Sequence, residues 1–126
     1  MRLVYDIEAT GLLDHTAIDY SKYPLELKDT FKVHCIVFKD LDSEKMVSLH
    51  GPSLTKKRVE NILRKASVLV AHNQIGYDLL VLHLYFGIDF HVAANEEEQS
   101  MVAGNPCEII DTVIINRFTN LYYIVV

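Results

Sequence analysis

The chain has 126 residues, half of them hydrophobic and 23% charged; this excludes a disordered or collagen-like polypeptide and fits one packed domain. Twelve Lys and Arg against seventeen Asp and Glu give a net charge of −5, which argues against a general nucleic-acid coat protein, because such proteins neutralise phosphates with a basic surplus. A nuclease stays open, since its acidic centre meets phosphate through metal ions.

In chain order, Val4–Ile7 reads as a buried first strand ending in the turn Ala9-Thr10-Gly11. Leu13–Thr30, polar and mixed, reads as a long excursion. Phe31–Phe38 and Met46–Leu49 read as a second and a short third strand, separated by turn residues at Asp40–Ser43. The period then changes. Val59, Ile62, Leu63 and Ala66 follow i, i+3, i+4, i+7, predicting an amphipathic helix with Ser53 or Thr55 as its N-cap. Val68–Ala71 is an apolar run suited to a central strand, residues 76–86 read as a helix stopped by Gly87, and Ile109–Ile115 reads as a final buried strand. Strands paired in sequence, followed by strands alternating with helices, predict an α/β fold: a mixed sheet of about five strands with helices on its faces. Cys35 and Cys107 are too few for a disulfide framework, and Asp6 and Glu8 interrupt any N-terminal apolar segment. Leu79–Ile88, the longest apolar stretch, carries His83 and falls short of the roughly 20 residues that span a bilayer. These features predict a cytoplasmic protein with no membrane association.

Asp6 and Glu8 lie two apart on the first strand, so both carboxylates project from the same face. Two like charges near the centre of a sheet repel unless a cation sits between them, and a hard divalent ion such as Mg²⁺ prefers carboxylate oxygens. A D-x-E pattern alone is short and common, and a frayed strand end whose acids reach water explains it equally. The second element is His72-Asn73-Gln74-Ile75-Gly76-Tyr77-Asp78, directly after the strand Val68–Ala71. Asp78 in the first turn of a helix is favoured by the helix dipole, and it also stands at a strand end, where sheets of this kind bind ligands.

Asp6-Ile7-Glu8-Ala9-Thr10-Gly11-Leu12 resembles the first motif, D-x-E-x-x-G-L, of the proofreading 3′–5′ exonucleases, which use four acidic residues on an RNase-H-like fold. His72-Asn73 with Gly76-Tyr77-Asp78 resembles their second motif. Phe31–Val37 and Ile110–Val113 are similar to strands of the N-terminal exonuclease domain of family-A DNA polymerases from short-tailed phages. The resemblance runs through residues 1–120 of a single domain spanning 1–126. It implies two Mg²⁺ or Mn²⁺ ions about 3.5–4 Å apart that hold the scissile phosphate. It also implies Asp6, Glu8 and Asp78 as metal-binding and catalytic residues, and a single-stranded DNA 3′ end as partner. Glu8 and the backbone of Ala9, Thr10, Gly11 and Leu12 would meet the terminal nucleotide, with Leu12 against its base, while His72, Asn73 and Tyr77 complete the DNA-binding set.

The family's third motif, Y-x-x-x-D or H-x-x-x-D, lies on a late helix beyond the strand that Ile109–Ile115 resembles, and neither spacing follows that strand here. The chain is therefore expected to be a truncated domain without the later helices and the fourth acid, and a weak or inactive nuclease by itself. Glu96-Glu97-Glu98 and Asp111 are the acids that could stand in; a solvated charge run and a structural role are their respective alternatives. A non-catalytic module that binds DNA ends, or interferes with a polymerase, is the second functional expectation. The apolar tail Leu121–Val126 reads as a strand that either covers the sheet or pairs with a second copy to form a homodimer.

Overall fold

The computed structural model describes residues 1–113. Its centre is a five-stranded mixed sheet made of β1 (Arg2–Ala9), β2 (Val33–Asp40), β3 (Met46–His50), β4 (Val68–Ala71) and β5 (Glu108–Asp111). The strands lie in the order β5-β4-β1-β2-β3. β1, β2 and β3 pair antiparallel in sequence, whereas β4 runs parallel to β1 and β5 parallel to β4.

Helix α1 (Lys56–Leu63) connects β3 to β4, and α2 (Leu79–Phe86) connects β4 to β5. β3, β4 and β5 all point the same way, and both connections step in one direction across the sheet. Two right-handed crossovers of that kind put both helices on one face. Burial agrees with this placement. The strand residues removed from solvent are Leu3, Tyr5, Ile7, Val33, Ile36, Phe38, Leu49, Leu69, Ala71 and Asp111, which alternate onto a single face by the pairing register. Val59 and Leu63 of α1 and Leu79, Val81 and Leu82 of α2 complete this core. Asp6, Glu8 and half-buried Val4, Val37, Val68, Val70 and Ile110 occupy the opposite face.

Local chemistry explains the boundaries. Thr55 caps α1 by accepting from the Arg58 N–H, and Glu60 pairs with Lys56 and Arg64 one turn to either side. α2 is apolar apart from exposed His83, as befits a helix packed largely into a core. Gly87 ends it in the left-handed conformation (φ 71°).

Three expectations need correction. The helix expected over 76–86 is two elements, a π turn over Gln74–Asp78 followed by α2. The final strand does not run to Ile115; it stops at Asp111, whose carboxylate accepts the Val113 N–H and turns the chain out of the sheet. The excursion Leu13–Thr30 is not plain loop, because Ile18–Asp19 pairs with Glu26–Leu27. A three-stranded ladder of Phe90–His91, Met101–Val102 and Asn105–Pro106 was also not foreseen. Ala103 and Gly104 close its last hairpin, both at positive φ, as a two-residue primed turn demands. Leu121–Val126 lies outside the described residues. Among those described, no helix is long and apolar enough to cross a membrane.

Candidate functional site: an acidic cleft at the strand ends

β1 and β4 are parallel neighbours, so their C-terminal ends open on the same side of the domain. There, Asp6, Ile7, Gly11, Leu12, His72, Asn73, Tyr77 and Asp78 line an open cleft of about 290 Å³. The two sequence segments singled out by motif therefore form one site. A hydrogen bond ties them together, the Tyr77 hydroxyl donating to the Gly11 carbonyl at 2.7 Å.

The cleft's electrostatics centre on Asp78, which is 4% exposed while Asp6 is exposed. Burial, then the charge of Asp6, then that of Asp111 push the Asp78 carboxyl up from 3.8 to about 7, against hydrogen bonding from backbone that favours its charged form. The Tyr77 hydroxyl is pushed up by burial and by Asp78, Glu8 and Asp6, in that order. All three predicted carboxylates are thus felt at one phenol. Their positions differ, however. Asp6 and Asp78 line the cleft, whereas Glu8 is exposed beside it. The β1–β2 register shifts just beyond Glu8, where Ala9 pairs with Val33 and His34 is the extra residue on β2.

The remaining predicted residues divide by what they touch. Leu12 stands 72% exposed on the cleft rim, a large apolar side chain with no core to fill. Thr10 is tied to the backbone of Lys32, its hydroxyl donating to the carbonyl (2.9 Å) and accepting from the N–H (2.8 Å), which extends the β1–β2 pairing beyond Ala9. The Nδ1 of His72 lies 2.8 Å from the Thr112 hydroxyl. Asn73 takes the left-handed conformation (φ 62°), and its side-chain oxygen lies so close over Gly76 that a Cβ there would sit 2.6 Å from it. Glycine at 76 is what lets the Asn73 amide fold down beside the cleft.

Beneath this surface runs a buried polar brace that was not anticipated. Gln74 is fully buried; it accepts from the Tyr5 hydroxyl (3.1 Å) and donates to the Leu69 and Ile110 carbonyls (3.0 and 2.7 Å). Asp111, 5% exposed, accepts the backbone N–H groups of Asn73, Ile75 and Val113. Its carboxylate serves the turn beneath the cleft and does not line it. Glu98 is also engaged locally, with His91 and the Ala94 N–H. The signal for Gln74 was available: an uncharged polar residue between an apolar strand and an apolar helix must satisfy its amide within the core.

The donor chemistry fits a hydrated Mg²⁺ or Mn²⁺. Such ions are held by one or two carboxylates and keep several waters, and Asp6 and Asp78 supply two facing carboxylates whose mutual repulsion a cation relieves. Among the described residues, no three His, Cys, Asp or Glu side chains converge as a closed ligand set. No family model matches the sequence, and no curated protein matches it either.

Proposed function

We propose that this protein is a divalent-metal-dependent domain of the proofreading 3′–5′ exonuclease type, with an RNase-H-like fold, which receives the 3′ end of single-stranded DNA in the cleft between β1 and β4. The observation that carries this reading is the pairing of Asp6 with buried Asp78 across one open cleft, with Asp78 pushed up to about 7 partly by Asp6. Two carboxylates held together at a shared strand end are costly without a cation and useful with one. The mixed sheet supports the reading, since three antiparallel strands followed by two parallel ones match the order expected from the sequence.

Asp6 and Asp78 would hold the metal, with Glu8 exposed beside them. When bound, the metal neutralises phosphate charge and activates water for attack on a phosphodiester. The chain's own residues bind and orient. Leu12 presents an apolar surface against the terminal base, to which every base offers a face. The Tyr77–Gly11 hydrogen bond fixes the spacing of the two cleft walls. His72 and Asn73 offer polar edges to the sugar–phosphate backbone.

A second reading, a module that holds DNA ends without turnover, is favoured by one feature: two carboxylates line the cleft and Glu8 stands beside it. One assay separates the two. The protein is incubated with 3′-labelled single-stranded DNA and Mg²⁺ or Mn²⁺, with Asp6→Ala as control. Stepwise shortening lost in the variant supports the nuclease; metal-dependent binding without shortening favours the module. If neither metal nor DNA shifts the melting temperature, both readings fail.

A further inference from the structure

We propose that Asp111 is a positioning residue of the cleft: by holding three backbone N–H groups it sets the turn that aims Asp78 at Asp6 and Tyr77 at Gly11. A buried carboxylate is costly unless hydrogen bonds replace its water. Asp111 is buried at the end of β5, and its bonds go to the segment that follows β4. One oxygen accepts from Asn73 (2.9 Å) and Val113 (3.0 Å), the other from Ile75 (2.9 Å). The residue between Asn73 and Ile75 is Gln74, whose buried amide bonds to Leu69 of β4, Ile110 of β5 and Tyr5 of β1. Two side chains therefore grip three successive residues of one turn and fasten them to the sheet.

The shape of that turn makes the grip matter to the site. Asn73 is left-handed, and residues 74–78 form a π turn before α2 begins. A π turn closes i to i+5 where an α-helix closes i to i+4, and it persists where local constraints hold it open. With the Asp111 fork removed, Asn73 and Ile75 lose their acceptor and the turn can wind down to α geometry. Each later residue then rotates about the helix axis, carrying Tyr77 away from Gly11 and Asp78 away from Asp6. Asp111 need not touch metal or DNA to have this effect. Supporting groups behind metal ligands commonly change affinity by about 10–100-fold.

The metal arm of the test rests on the function proposed above, so a second arm is independent of it. Asp111→Ala and Asp111→Asn are compared with Leu63→Ala, a core truncation in α1 remote from the cleft that controls for lost stability. Mn²⁺ affinity is measured by calorimetry on the full chain, well below each variant's melting temperature. The expected result is a loss of about tenfold or more in Asp111→Ala, a smaller loss in Asp111→Asn, which keeps one acceptor oxygen, and no loss in Leu63→Ala. The second arm follows the NMR amide resonances of Gly11 and Tyr77, expected to move in Asp111→Ala and stay in Leu63→Ala. If the wild-type chain binds no Mn²⁺, the metal reading fails and the resonances alone decide the positioning role. That role is overturned if Asp111→Ala keeps wild-type resonances, or if Leu63→Ala reproduces its effects. Should Asp111→Ala not fold, Asp111→Asn decides, and wild-type behaviour in both arms overturns the proposal.

Discussion

Replacing Asp78 by Asn should stabilise the protein, increasingly so as pH rises from about 4 to about 7. The Asp78 carboxyl rises from 3.8 to about 7 on folding, first through burial and then through Asp6. A carboxyl raised in the folded state is destabilising when ionised. The penalty is absent below the unfolded value, grows as pH climbs past about 4, and is complete above about 7. A shift of about three units corresponds to a ceiling of ~4 kcal/mol, and water entering an open cleft reduces it, so ~2 kcal/mol is the working figure. Asn is nearly isosteric and carries no charge. Urea unfolding followed by far-ultraviolet circular dichroism, in chelator, at pH 4.5, 6 and 8 measures the effect. The difference between variant and wild type cancels other titrating groups. At a slope near 1.5 kcal/mol per molar, the midpoint of Asp78→Asn should exceed wild type by about 1 M or more at pH 8 and by clearly less at pH 4.5. A difference that is flat with pH, or that favours wild type at pH 8, would refute the argument. Millimolar Mn²⁺ at pH 8 should narrow the gap, because the ion stabilises the charged pair and finds one carboxylate fewer in the variant.

Divalent metal should raise the melting temperature of wild type: at tenfold excess over the dissociation constant the gain is ~1.4 kcal/mol, read by calorimetry and absent in Asp6→Ala. Leu12→Ala should leave stability within about 0.5 kcal/mol, since the side chain is mostly exposed, while weakening single-stranded DNA binding about fivefold through lost base contact; fluorescence anisotropy measures this. Gly76→Ala should fold normally, because the crowding atom is the tip of the Asn73 side chain, which can swing aside. Its effect on DNA affinity should be strongly non-additive with Asn73→Ala, as a double-mutant cycle by the same anisotropy assay would show.

What the sequence made legible was whatever had a local physical cause. Val68–Ala71 is an unbroken apolar run because a parallel strand is covered along much of its surface, and it forms β4 with those bounds. Thr55 and Gly87 mark helix ends because an orphan N–H needs an acceptor and a left-handed residue needs no Cβ. Asp6 and Asp78 meet in one cleft because strand ends converge where parallel neighbours share a direction. The misses have non-local causes. The apolar string after Asp111 reads as more strand, yet the Asp111 carboxylate, already bonded to Asn73 and Ile75, also takes the Val113 N–H and ends the ladder. The π turn at Gln74–Asp78 carries a helical pattern and a glycine; its width depends on partners that lie in β1 and β5. Two-residue strands such as Phe90–His91 are too short to show any period. Glu8 does share the face of Asp6, but it stands two residues further along β1 and lies beside the cleft, outside its lining.

The placement of the helices also bears on what kind of ligand the site can take. Both crossovers move the same way across the sheet, so α1 and α2 fall together behind Tyr5 and Leu69, and the acids of β1 project from the other side. An enclosed pocket suits a small molecule that can be surrounded; a polymer end needs a cleft with one side open, so that the rest of the chain can leave. The cleft at Asp6 and Asp78 is of this second kind, bordered by Leu12 and lying at the edge of the sheet face that carries Glu8. Its walls are held from behind by bonds that no ligand would displace: Tyr77 to Gly11, Gln74 to the strand carbonyls, and Asp111 to the turn. Such support matters most where two carboxylates repel, since a looser frame would let Asp78 turn toward solvent and shed its strain. The rigidity of the turn and the raised Asp78 carboxyl are then two aspects of one arrangement. Asp111→Ala should bring the Asp78 carboxyl back toward 3.8, both by removing the Asp111 charge and by loosening the turn, and titration of the labelled carboxyl carbon by NMR in the variant would register the change.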